Sequence, residues 1–227
     1  MCEVPVFYAT TEGQTGRIAE VLAGHLRDAG LDSQAIDVTS ARAAAFSWTR
    51  TRAAVLAASV HAGSHQPEAE SFVRAHLAEF NDRPSVFLSV SLAICSAVPS
   101  EADAARATAD RLPAQLGWKA TRVVCVAGRL AYTQYGLLKR FVMRRIAAKS
   151  GGPTDTSRDH EMTDWSQVLA VAADLTERLA CRCDPSARSR CRRQADRDGR
   201  AAAGRTVDVD GAVMGLHEAP ARGKAQA

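Results

Sequence analysis

The sequence predicts an α/β fold: a doubly wound parallel sheet of five strands, with helices on both faces and an insertion before the last helix. Three observations predict it. Apolar runs alternate with helical patterns from the first residues on, the order expected of βαβ units. Several of those runs, such as Ala53–Val60 and Arg122–Gly128, read as buried strands. The first run leads straight into a loop rich in hydroxyls and glycine, and then into a helix.

Val4–Ala9 is the first strand, and Thr15–Ala29 the first helix, with Ile18, Val21, Leu22, His25, Leu26 and Ala29 on one face. Gly30 is placed to end that helix. Leu31–Val38 reads as the second strand and Ala53–Val60 as the third, followed by a loop at His61–Gln66. Pro67 opens a helix reaching Phe80, since proline suits a first turn. Pro84–Ser91 is the fourth strand, residues 101–116 an Ala-rich helix, and Arg122–Gly128 the fifth strand. Asp164–Leu179 is the last helix, where Asp164 and Gln167 have the spacing of a capping box. About 35 residues, 129–163, lie between the fifth strand and that helix. They hold Tyr132, Tyr135, a helical segment Leu137–Lys149 and a polar loop Gly151–Thr163. A long insert at a ligand edge is more often functional than idle.

The chain has 227 residues, 46% hydrophobic and 24% charged, enough for one sizeable domain over residues 1–180. No apolar run is long enough for a spanning helix, and the first residues lack the basic and apolar regions of a secretory signal. A cytoplasmic protein is expected. The net charge of +4 is carried by residues 181–227, where ten Lys and Arg face six Asp and Glu. That segment is rich in Ala, Arg, Gly and Asp and has no aromatic residue, so it reads as a disordered tail. Its basic excess leaves open a contact with anionic lipid or nucleic acid, or a simple solvated extension; no specific nucleic-acid partner is expected. Cys181, Cys183 and Cys191 lack the spacing of common zinc sites, and no metal is assigned.

The loop Ala9-Thr10-Thr11-Glu12-Gly13-Gln14-Thr15-Gly16 carries the chemistry. It offers backbone N–H groups, the hydroxyls of Thr10, Thr11 and Thr15, and the N-terminus of a helix, where orphan N–H groups and the positive dipole end favour an anion. Gly13 allows a tight turn. Neither G-x-G-x-x-G nor G-x-x-x-x-G-K-[ST] follows the first strand, so a nucleoside triphosphate is disfavoured. Threonines suit a terminal phosphate monoester. An ordinary helix cap is the alternative reading of the loop. Three further loops, Val60–Gln66, Ser91–Pro99 and Arg129–Gly136, would join it at the carboxyl edge of the sheet.

A T-T-x-G-Q-T loop after the first strand of a five-stranded α/β pattern resembles the flavodoxins, so the fold is expected to be flavodoxin-like and the phosphate that of FMN. The segment Gly151-Gly152-Pro153-Thr154-Asp155-Thr156, followed by Thr163-Asp164-Trp165, is similar to the flavodoxin-like, menaquinone-dependent protoporphyrinogen oxidases (dehydrogenases) of bacterial haem synthesis. The resemblance covers residues 4–180. It implies an FMN enzyme that oxidises protoporphyrinogen IX with a quinone acceptor. It also implies that Thr10, Thr11, Glu12, Gly13, Gln14 and Thr15 surround the phosphate. Ser59, Val60, His61, Ala62 and Gly63, with Ser91, Leu92 and Ala93, would line the ring and ribityl chain, and Gly128 and Arg129 would complete the edge. Tyr132 is the candidate to stack on the isoalloxazine, the alternative for it and Tyr135 being anchors of their loop.

The chain departs from the family at 91–99, a loop without charge where members carry basic residues, and in its basic tail. No catalytic triad or carboxylate pair is present. His61 and His65 are proton-exchange candidates, set against surface or packing roles, and Asp155 and Asp159 are read as ordering their own loop. The segment 137–149 holds five Lys or Arg and no acidic residue among apolar side chains. It could contact an anionic membrane, a porphyrin's propionates or a second copy in an oligomer, or simply pack on the sheet edge. Two other functions compete: a flavodoxin-type electron carrier, and a fold-alone interaction module without FMN. Carriers are usually acidic, whereas this core is neutral and the whole chain basic.

Overall fold

The computed structural model describes residues 2–183. Residues 184–227, and the side chains from Cys181 on, lie outside the described residues, and with them most of the tail; its first three residues, 181–183, continue the last helix past the expected end at Leu179. Five strands run parallel in one sheet: β1 (Val6–Ala9), β2 (Ala35–Asp37), β3 (Ala54–His61), β5 (Ser85–Val90) and β6 (Arg122–Val126). A two-residue strand, β4 (Ser64–His65), folds back on the end of β3. The spatial order of the parallel strands is β2-β1-β3-β5-β6. The chain moves outward from β1 to β2 and returns to β3 on the other side, so the switch point lies between β1 and β3.

Both sheet faces are covered, which is why the strands are almost wholly apolar. Alternate positions along them divide cleanly between two cores. Val6, Val55, Ala57, Val86 and Leu88 face one, and Phe7, Ala54, Leu56 and Phe87 the other. The first core is closed by α1 (Gln14–Asp28) and α7 (Trp165–Cys183), through Ile18, Leu22, Leu26, Val168 and Leu175. Ala19 and Ala23 complete the buried stripe of α1, which leaves His25 exposed. The second core is closed by α3 (Pro67–Ala75), α4 (Leu77–Asn81) and α5 (Pro99–Leu116), through Phe72, Phe80, Leu112 and Leu116. A short helix, α2 (Ala41–Ala44), lies between β2 and β3.

Local chemistry explains where the elements differ from the periodicity. Gly30 ends α1 in the left-handed region, with φ 83°, and Leu31 N–H closes back on Leu26 O. The second strand is only three residues long. Just ahead of it an isolated parallel bridge joins Glu3 and Asp32, and the buried Ser33 Oγ donates to Val4 O at 2.6 Å, a side-chain bond beside the backbone pairing. The single helix expected over 67–80 breaks at His76, whose ring packs on Phe72 and Trp48 at 4.7 and 5.3 Å. Asp164 caps α7, its Oδ1 accepting from the N–H groups of Ser166 and Gln167.

The loops at the carboxyl edge hold more order than their sequences suggest. β4 meets β3 across a two-residue turn at Ala62 and Gly63, with φ 49° and 79°, the positive angles of a tight hairpin. β7 (Arg129–Leu130) and β8 (His160–Glu161) pair as a separate antiparallel ribbon. Between them runs α6 (Leu137–Lys149).

Candidate functional site

A cleft of about 520 Å³ opens at the carboxyl edge, beside the switch point. Of the residues expected from sequence, Thr10, Glu12, Gln14, Thr15, Ser59, Val60, His61, Ala62, Gly63, Ser91, Leu92, Ala93, Gly128 and Arg129 line it. Three do not. Thr11 turns away, with the Gln66 amide 2.7 Å from its hydroxyl. Gly13 contributes backbone alone, its N–H donating to Thr10 Oγ1 at 2.9 Å. Tyr132 is 0% exposed, and its hydroxyl donates to Pro153 O at 2.9 Å. No face of its ring is open to the cleft, so the stacking role is corrected to that of an anchor.

The phosphate loop has the donor set that an anion needs. Gly13 is the N-cap of α1 with φ 84°, the first turn has neither a side-chain cap nor an acidic residue, and Thr10 and Thr15 face the cleft. Orphan N–H groups of that turn are thus left for a ligand. Gln14 Oε1 is buried without a partner, an acceptor matched to a donor such as a ribityl hydroxyl. These features fit FMN. A Cβ at Gly13 would meet nothing within 4 Å, so Gly13→Ala is penalised by backbone conformation alone, about 1–2 kcal/mol. A fall of about tenfold in FMN affinity is expected from that cost, measured by quenching of flavin fluorescence, with Gly13→Asn milder.

Thr163-Asp164-Trp165 ties the first loop to the last helix. Gln14 Nε2 donates to Glu161 Oε1 and to Thr163 Oγ1, at 2.8 and 2.9 Å, and Thr163 Oγ1 donates to Ala127 O. Arg17 pairs with Glu161 at 2.9 Å and sits 5.1 Å over the Trp165 ring. The segment 151–156 pins the insert. Gly151 has φ 71°, and a Cβ there would lie 2.8 Å from Ala97 Cβ, a contact that admits only glycine. Ala97 N–H donates to Ser150 O. Glu101 accepts from Ser96 Oγ and Ser150 Oγ, both at 2.6 Å. These bonds, that from Ser150 foremost, hold its carboxyl below the usual range.

Sequence reasoning missed that α6 forms a wall of the cleft. Lys139, Met143, Ile146 and Ala147 line it, at the i, i+4, i+7 and i+8 spacing that a helical wheel centred on Lys139 reveals. At the other end, Glu12 accepts from Lys139 Nζ at 2.6 Å and from Tyr135 Oη at 2.7 Å. Burial first, then the bond to Glu12, pushes the Tyr135 phenol well up, so it stays protonated. Arg129 Nε is buried without a partner, and the guanidinium lies 3.8 Å from Asp159. Asp159 and Asp155 do order their loop, accepting from Thr133 and Ser157. His61 stands at the rim; His65 is turned inward, 2.9 Å from Ser89 Oγ. Cys95 also lines the cleft, and burial raises its thiol pKa. Among the described residues, no group of His, Cys, Asp and Glu could hold a metal ion.

Comparison with known proteins gives one family and a set of relatives. The flavodoxin domain family matches residues 5–157. Protoporphyrinogen IX dehydrogenase (quinone) of Escherichia coli strain K12 is 29% identical over 170 residues, covering 75% of this chain and 92% of that protein. The protein of the same name from Leishmania major is 27% identical over 171 residues, covering 75% of this chain and 73% of its own. An archaeal flavodoxin structure aligns with a TM-score of 0.45 at 12% identity, over 78% of this chain and 99% of its own. The chain belongs to the flavodoxin domain family, and it is a flavoprotein oxidoreductase with FMN as its cofactor.

Proposed function

We propose that this protein oxidises protoporphyrinogen IX to protoporphyrin IX and passes the electrons to a quinone. The observation that carries the reading is the similarity to the Escherichia coli dehydrogenase over 92% of that protein's length. When bound, FMN supplies the redox chemistry, accepting electron pairs from the substrate and releasing them to the quinone. The chain's own residues bind and orient. Thr10, Thr15 and the first turn of α1 hold the phosphate, while the 59–63 and 91–93 segments flank the rest of the cofactor. The uncharged 91–99 loop leaves anion recognition to the other side of the cleft. There Arg129, with its buried unpaired Nε, is the group suited to a propionate carboxylate.

Membrane contact belongs to the same proposal. No described helix is long and apolar enough to cross a membrane. The outer side of α6, however, exposes Leu137 (83%), Leu138 (79%), Phe141 and Val142, beside Arg144, Arg145 and Lys149. Arg140 is excluded from that surface, since it donates to the carbonyls of Tyr132 and Tyr135. Apolar side chains ringed by cations suit an anionic lipid surface, and such docking would bring the cleft to a lipid-soluble quinone on the cytoplasmic face.

One anaerobic experiment tests both parts. Protoporphyrinogen IX and a menaquinone analogue are supplied, and porphyrin fluorescence is followed. A rise that requires both FMN and quinone is expected. With quinone embedded in anionic vesicles, the Arg144→Gln/Arg145→Gln variant should turn over up to about thirtyfold more slowly, at about 1 kcal/mol for each of the two charges lost near the surface, yet match wild type with a soluble quinone. FMN binding without quinone-dependent turnover would instead leave an electron carrier.

A further inference from the structure

The phosphate loop contains a carboxylate. Glu12 lies between Thr10 and Gly13, on the wall of the cleft that holds the cofactor. A phosphate dianion entering this loop meets that negative charge, and like charges at close range repel. No basic residue within the loop offsets it. The compensating charge arrives from a segment 127 residues later: Lys139 Nζ lies 2.6 Å from Glu12 Oε1 and 4.3 Å from the centre of the Tyr135 ring. Among the described ion pairs, Lys139 is the partner of Glu12, while Arg17, the nearest cation on α1, is committed to Glu161. Tyr135 fixes the other carboxylate oxygen at 2.7 Å, so Glu12 is held in place and cannot swing clear when its cation is lost.

We propose that Lys139, on the inserted helix, sets the affinity of the phosphate loop for its cofactor by neutralising Glu12, so that α6 takes part in selecting a phosphorylated flavin over an unphosphorylated one. The proposal rests on FMN as the cofactor and is independent of the substrate that the flavin oxidises.

The test compares FMN with riboflavin on the flavin-free protein, by fluorescence quenching, for wild type, Lys139→Gln, Lys139→Arg, Glu12→Gln and Glu12→Gln/Lys139→Gln. The pair is partly exposed, so the effect is modest: Lys139→Gln should weaken FMN about three- to tenfold and riboflavin less than about twofold. Lys139→Arg should retain FMN affinity. The double variant should regain most of what Lys139→Gln loses, because the uncompensated carboxylate is then gone. Equal losses for FMN and riboflavin, no loss for FMN, or a double variant as weak as Lys139→Gln would each overturn the proposal. A wild-type protein that binds neither flavin would overturn the cofactor assignment itself, and this proposal with it. Coincident thermal unfolding of all five flavin-free proteins would exclude misfolding as the source of a loss.

Discussion

Replacing Tyr132 with alanine is expected to destabilise the insert by about 3–5 kcal/mol, the usual range for a buried aromatic truncated in a packed site. Tyr132 is among the largest fully buried side chains. It centres a small third core with Leu130, Ala131, Tyr135 and Ala147, onto which Leu92, Met143 and Met162 also pack. Its hydroxyl reaches Pro153 O, joining the two arms of the insert. This cluster is separate from the two cores of the sheet, so the loss should appear first in the amides of α6 by hydrogen exchange, and then as a lower urea midpoint. Tyr132→Phe should cost about 1 kcal/mol, since only the bond to the Pro153 carbonyl is removed. A residue that stacked on the flavin would behave in the opposite way: its truncation would spare the flavin-free protein and weaken FMN binding.

Acidification is expected to destabilise the protein between about pH 6.5 and pH 4 through His65. Burial, assisted by the Arg111 charge, lowers the His65 pKa from its ordinary 6.5 to about 4. In that window the unfolded chain binds a proton that the native state refuses. Stability is therefore full above the unfolded value and falls as the pH drops towards 4. A shift of this size on a partly exposed ring is worth on the order of 2 kcal/mol. His65→Gln removes the titration and leaves a polar group beside Ser89. The difference between wild type and variant in urea midpoint, measured at about pH 7 and again at about pH 4.5, isolates the effect from the carboxylates that titrate nearby.

Tyr132 and Tyr135 mark where sequence reading stops. Three positions apart in one loop, they are chemically alike and share one core, and only packing closes Tyr132 off while leaving Tyr135 also on the cleft wall. The parallel sheet was legible because its strands are apolar on both faces. The insert's helix was legible too, its ends falling at Leu137 and Lys149 as expected. So was the place of the 10–15 loop on the cleft and at the start of α1, because its hydroxyls, glycine and following helix are contiguous. The β7–β8 ribbon was not, since strands of two residues carry no period. Nor was the partnership of Glu12 with Lys139, which depends on α6 folding back over the first loop. The Gly151 contact with Ala97 gives the glycine of that motif a steric reason that spacing alone cannot supply.

The bond between Gln14 and Thr163 also bears on how the protein is made. The cofactor loop leaves the ribosome 149 residues ahead of its partner, roughly 7 to 30 s of synthesis at about 5–20 residues per second. Until Thr163 and the helix after it emerge, the nascent chain holds its cofactor loop unfinished. The loop that follows the first strand is thus completed only after every strand of the parallel sheet has been made.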